Sequence, residues 1–232
     1  MIATTTEDAV STLAGIAGML ASIPAAALAF AAPQHGQLRV PRRWWRGAPA
    51  PPWGILAACL VAGATANLAC ARCPDLVVVP VFWLTAVLGT TLAIIDLRCH
   101  RLPHALTTLL WATGGTCFIA DAIVSGTAGR LIVAVATALA TSGTLLLIAL
   151  AFPGQLGLGD VNLAGALALS LGWRHWSAPL VGLLAAFALQ AIVVAGWSIV
   201  RRRKHDDRGG FPLGPALLLG WLILIWAGPA AD

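Results

Sequence analysis

The chain has 232 residues, of which 59% are hydrophobic and only 10% charged, and its mean hydropathy is +0.87. Soluble domains carry about 25% charged residues, so this balance excludes an ordinary soluble protein and indicates an all-α bundle crossing a membrane. The net charge of +5 would suit a nucleic acid, but no basic face or aromatic stacking module accompanies it, so no nucleic-acid partner is expected.

Crossing a bilayer takes ~20 apolar residues per helix, and eight such segments are predicted along the chain. The first covers 9–32. Only Glu7 and Asp8 are charged before Arg39, so the basic start of a cleaved signal is missing and the helix is read as retained. The loop 33–52 is rich in Pro, Arg and Trp. Its Trp44 and Trp45, beside Arg42, Arg43 and Arg46, suit the headgroup region as anchors. The second segment, 53–69, runs into Cys70-Ala71-Arg72-Cys73. A structural zinc site takes four ligands, and no second pair or nearby histidine is present. A disulfide and two free thiols both stay open for this pair.

The third segment, 76–95, ends at Asp96 and leads into Leu97-Arg98-Cys99-His100-Arg101-Leu102-Pro103. The fourth and fifth cover 105–124 and 131–152. Gly157-Leu158-Gly159-Asp160 then precedes the sixth, 161–173, which is short and suits a tilted or enclosed helix. The seventh, 178–200, is followed by a polar loop of mixed charge, and the eighth is 211–227. Eight helices use nearly the whole chain, so 1–232 is expected to be one membrane-embedded domain. Pro103 and Pro212 are expected to open helices, since proline fits the first turn.

Charge position sets the orientation. Eleven of the fourteen Lys and Arg residues fall in the loops after the first, third and seventh segments, and only Arg72, Arg130 and Arg174 fall in the alternate loops. Basic residues accumulate on the cytoplasmic side, which places Asp96 and Asp160 there and both termini outside. The basic residues also provide contacts to anionic membrane lipids. Asp75 and Asp121 fall on the opposite face, and Asp206 and Asp207 sit in a basic-acidic loop and read as solvated charge.

An ionisable side chain at the end of an apolar run is costly near lipid, which makes Asp96 and Asp160 candidates for function and for each other. Two close carboxylates share a proton, so one can activate water while the other assists a carbonyl oxygen. Gly157 and Gly159 would let the backbone turn and a substrate strand approach. Plainer readings exist: Asp160 as the cap of the helix at Val161, and Asp96 in a weak surface ion pair with Arg98 or Arg101. Gly-x-Gly-Asp alone is a short motif and decides little.

Three longer stretches are more specific. Ile95-Asp96 through Leu102-Pro103 and Leu106-Thr107, then Pro153 to Leu163 around Gly157-Leu158-Gly159-Asp160, then Phe211-Pro212-Leu213-Gly214-Pro215, together resemble the type IV prepilin peptidases, polytopic bacterial aspartyl proteases of the Gly-x-Gly-Asp class. The resemblance implies that Asp96 and Asp160 are catalytic. Gly157, Gly159, Pro103, Asn162, Pro212, Gly214 and Pro215 then belong to supporting motifs. It implies an endopeptidase without cofactor or metal, in the bacterial inner membrane, whose active site faces the cytoplasm. Its partners would be prepilins or pseudopilins, from which it removes a basic leader. The family usually has Lys two residues after the second aspartate, where Asn162 stands here; that difference bears on proton affinity or a substrate contact. Bifunctional members carry a zinc-binding cysteine loop after the first helix, linked to N-methylation. Here 33–52 has no cysteine, so a protease without methyltransferase activity is expected. Two rival readings use the same residues: a proton-coupled transporter, and a catalytically inactive subunit of a pilus or secretion assembly.

Overall fold

The computed structural model describes residues 2–31, 52–73, 75–100, 102–153, 156–200 and 212–227. The basic loop 33–51, Arg101 and the loop 201–211 lie outside the described residues. The described chain is all-helical: α1 (Ile2–Ala31), α2 (Pro52–Cys70), α3 (Val79–Cys99), α4 (His104–Ser125), α5 (Ala128–Ala151), α6 (Leu158–Arg174), α7 (Ala178–Val200) and α8 (Gly214–Ala227). Six of these, α1 to α5 and α7, are long and apolar enough to cross a membrane. The shorter α6 fills the interior, and α8 packs on it with one face buried and Leu219, Ile223 and Trp226 turned outward.

Helix ends shift from the hydropathy boundaries for local reasons. Asp75 to Val78 form a turn in which the Val78 N–H donates to the Asp75 carbonyl at 3.2 Å, so α3 starts at Val79 with Pro80 in its first turn, where a missing N–H costs nothing. The same helix runs on to Cys99, so Asp96 lies inside its last turn rather than beyond it. α6 starts three residues early, at Leu158 with Gly157 as its N-cap. Asp160 therefore does not cap the helix; it sits in the first turn. Pro103 is the N-cap of α4. Pro215, not Pro212, occupies the opening turn of α8.

α6 is the centre of the bundle. Leu163 to Arg174 are all buried, and the helix packs against α3, α4, α5, α7 and α8. Gly165 and Gly172 permit this, since a Cβ at either would collide with the α5 hydroxyls of Ser142 or Thr137. Small residues let helix backbones approach closely where lipid supplies no hydrophobic drive. Trp173 stacks on Phe118 of α4, with ring centroids 4.6 Å apart and planes 10° apart. Both rings are fully buried. Trp173→Ala is expected to cost about 3 kcal/mol through lost packing, read as a lower thermal midpoint in detergent.

At the end of the bundle away from Asp160, the buried Arg174 guanidinium donates to the Arg72 carbonyl, and the Arg72 guanidinium lies 6.0 Å from the Trp226 ring. These contacts tie the ends of α6 and α8 to the turn after α2. α1 docks through polar tethers: Asn67 Nδ2 donates to the Ser11 carbonyl (3.0 Å) and Trp83 Nε1 to the Ala14 carbonyl (2.9 Å). α5 and α7 present Ile132, Leu139, Leu147, Leu184 and Ile192 outward. In water such a belt would aggregate; in a bilayer it faces solvent of its own polarity.

Candidate active site

α3 ends where His100 takes the left-handed conformation (φ 52°, ψ 35°) and its N–H donates to the Asp96 carbonyl at 2.8 Å. A non-glycine residue there is uncommon. Its effect is a tight reversal through the buried Leu102 and the extended Pro103 (φ −71°, ψ 120°) into α4. Asp96 is thus left one turn above the reversal, with its side chain buried.

The first turn of α8 holds that carboxylate. The Gly214 N–H donates to Asp96 Oδ2 at 2.8 Å. The first N–H groups of a helix have no partner within it and carry positive partial charge, so they suit a carboxylate. The contact depends on glycine, because a Cβ at position 214 would lie 2.8 Å from Oδ2.

Asp160 is placed by the opposite arrangement, at the start of its own helix. Its carboxylate reaches back one turn and accepts the Gly157 backbone N–H, as an acidic residue does in a capping box. Its Oδ1 is buried and has no hydrogen-bond partner among the described residues. Gly159 lets the first turn of α6 press on the α3–α4 reversal, since a Cβ there would lie 2.8 Å from Leu102 Cβ and 3.4 Å from the Leu102 carbonyl.

Both carboxylates line one cavity of about 540 Å³, together with His100, Leu102, Pro103, His104, Ala105, Gly157, Leu158 and Gly159. That volume is typical of a ligand site. A second cavity of about 430 Å³, between α2, α3 and α8, is lined by side chains such as Trp53, Val61, Ile94, Leu97 and Leu222 and contains no titratable group. It has no means to carry proton chemistry.

The residues named from sequence divide by position. Asp96, Asp160, Gly157, Gly159 and Pro103 line the cavity. Gly214 stands behind Asp96 as its donor, with Pro212 and Pro215 flanking it. Asn162 does not line the cavity: its Nδ2 donates to Thr107 Oγ1 at 2.9 Å. Asp121 is buried near the far end of α4, where its Oδ1 accepts from Ser125 at 3.3 Å. It lies 17 residues beyond the cavity-lining His104, about 25 Å along a helix. Asp75 is exposed before the start of α3. Neither can join the site. From sequence, His100 and His104 could either contact the site or lie solvent-exposed near the headgroups; both line the cavity.

Cys70 and Cys73 stand as thiols. Burial pushes the Cys73 thiol up to about 12, and neighbouring Cys70 adds to this while Arg174 opposes it. Among the described residues no three His, Cys, Asp or Glu side chains are grouped to hold a metal ion.

No curated protein and no solved structure matches the chain. The sequence profile of the type IV leader peptidase family matches residues 83–197. That span contains Asp96, Asp160 and every other residue named in the cavity wall, and leaves α1, α2 and α8 outside. The chain belongs to the type IV leader peptidase family: it is a multi-pass membrane peptidase, and the family implies prepilin-type substrates.

Proposed function

We propose that the chain is an aspartyl endopeptidase that removes the basic leader of prepilins or pseudopilins, with Asp96 and Asp160 as its catalytic pair. The observation that carries this reading is that the two carboxylates, 64 positions apart in sequence, line one cavity. The pair acts as a unit. One carboxylate, ionised, takes a proton from water as the oxygen attacks the scissile carbonyl. The other, protonated, gives its proton to the carbonyl oxygen, and the roles reverse as the amine leaves. A proton shared by two interacting carboxylates belongs to the pair and not to either residue.

The site works at the cytoplasmic face of the inner membrane, which the distribution of basic residues supports. There a basic leader would meet two acidic side chains while the apolar substrate helix stays in the bilayer. Residues 1–232 act as one domain in contact with membrane lipids, without nucleic acid, cofactor or metal. With no cysteine in 33–52, the enzyme cuts without methylating its product. A transporter would carry its acidic relay near the midplane, whereas Asp96 is one turn from the end of α3 and Asp160 is in the first turn of α6.

The test is co-expression with a prepilin-type substrate from the same genome, scoring leader removal by wild type, Asp96→Asn and Asp160→Asn. Cleavage by wild type alone is the expected result. Normal cleavage by either variant rules out the dyad, and an inert wild type favours the inactive-subunit reading.

A further inference from the structure

Asn162 lies two residues after Asp160 on α6, about 200° further round the helix, so the two side chains leave the helix in different directions. Asp160 lines the cavity and Asn162 does not. The Asn162 amide instead meets α4: Nδ2 donates to Thr107 Oγ1 at 2.9 Å. Thr107 is fully buried, and its own hydroxyl proton goes to the His104 carbonyl at 3.0 Å. A hydroxyl has one proton. Since Thr107 spends it on His104, it must accept from Asn162, which fixes the orientation of the amide. Trp111 Nε1, one turn further along α4, donates to the Asn162 backbone carbonyl at 3.1 Å. Three residues on one face of α4 are thus joined, directly or in relay, to one residue of α6.

We infer that the Asn162–Thr107 hydrogen bond is a positioning device that holds the cavity-lining start of α4 in register with the first turn of α6, and so sets the place of Asp160 relative to Pro103 and His104. This rests on the reading of Asp160 as one of the catalytic pair. The bond is poorly placed to touch substrate and well placed to fix the wall that substrate meets. The Trp111 bond goes to backbone and survives any side-chain change at 162, so the two helices stay docked when the amide is removed. What is lost is alignment. Misplacement of a reacting group by about 1 Å can cost as much as 10²-fold in rate.

The experiment measures kcat and KM for leader removal in Asn162→Leu, Thr107→Val, the double variant and Thr107→Ser, with Asp160→Asn as control and thermal midpoints recorded for all. Asn162→Leu and Thr107→Val are each expected to lower kcat about 10- to 100-fold with KM unchanged within about twofold. The double variant should be no worse than the poorer single one, since both remove the same bond. Thr107→Ser keeps the hydroxyl and should retain near-normal kcat. Wild-type kcat in either single variant overturns the inference, as does additivity in the double variant or a loss confined to KM or to folded yield. Should Asn162→Leu fail to fold, Asn162→Ser takes its place under the same criteria. If Asp160→Asn cuts normally, the dyad itself fails, and that outcome is distinct from an intact dyad with an indifferent Asn162.

Discussion

Asp96→Asn and Asp160→Asn are each expected to lower the rate of leader removal by about 10³-fold or more. The double variant should fall no further than the worse of the two. Groups that pass one proton between them fail together, so their effects do not add. The folded state should tolerate both changes. An asparagine Oδ1 at position 96 can still accept the Gly214 N–H that now reaches Asp96 Oδ2 at 2.8 Å. At position 160 an amide oxygen can still accept the Gly157 N–H. Thermal midpoints and detergent-extracted yields should therefore stay near wild type while activity disappears. The wild-type rate should fall on both sides of a pH optimum, because the pair works only when it holds one proton. A variant that retains substantial activity, or two losses that multiply, would contradict a shared-proton dyad.

Gly214→Ala should separate stability from activity. In the first turn of a helix, alanine is preferred to glycine by roughly 0.5–1 kcal/mol, so this change alone would be neutral or stabilising. Its Cβ, however, would lie 2.8 Å from Asp96 Oδ2 and 3.3 Å from Cγ. The carboxylate would have to leave the N–H that holds it, and activity is expected to drop about 10²-fold. Gly159→Ala meets the Leu102 Cβ at 2.8 Å instead, an atom fixed to the backbone that cannot move without the α3–α4 reversal, so it should cost both stability and rate. Gly115→Ala and Gly143→Ala are the controls, since a Cβ at either meets nothing within 4 Å. Those two should leave cleavage unchanged. Equal behaviour of Gly214→Ala and Gly115→Ala would mean that the α8 turn does not hold Asp96 in a working position.

Much of the fold is legible in one dimension because a bilayer constrains the chain so strongly. Backbone polar groups must be satisfied within each crossing segment, so apolar runs near 20 residues become helices. All eight helices lie where such runs were predicted; α1 begins seven residues early, at Ile2, and the other ends move by at most four. The movements come from local chemistry that hydropathy ignores: the Asp75–Val78 turn before α3, the left-handed His100 after it, and Gly157 as the N-cap of α6. Two of these, His100 and Gly157, lie at the candidate site, where the helix ends do the positioning.

The sequence by itself determined the membrane class and the order of the helices and singled out two aspartates as candidates, because an isolated carboxylate stands out in an apolar chain and its flanking motif is local. The tertiary structure alone decided how those carboxylates are held. Asp96 depends on an N–H from Gly214, 118 residues away, and Asn162 faces Thr107 of α4 rather than the cavity. It also decided that α6, too short to stand out as a crossing segment, is the helix around which α3, α4, α5, α7 and α8 assemble. Hydropathy reports what a residue would lose in water; which backbone donor or neighbouring helix it meets is set by close packing between segments distant in sequence.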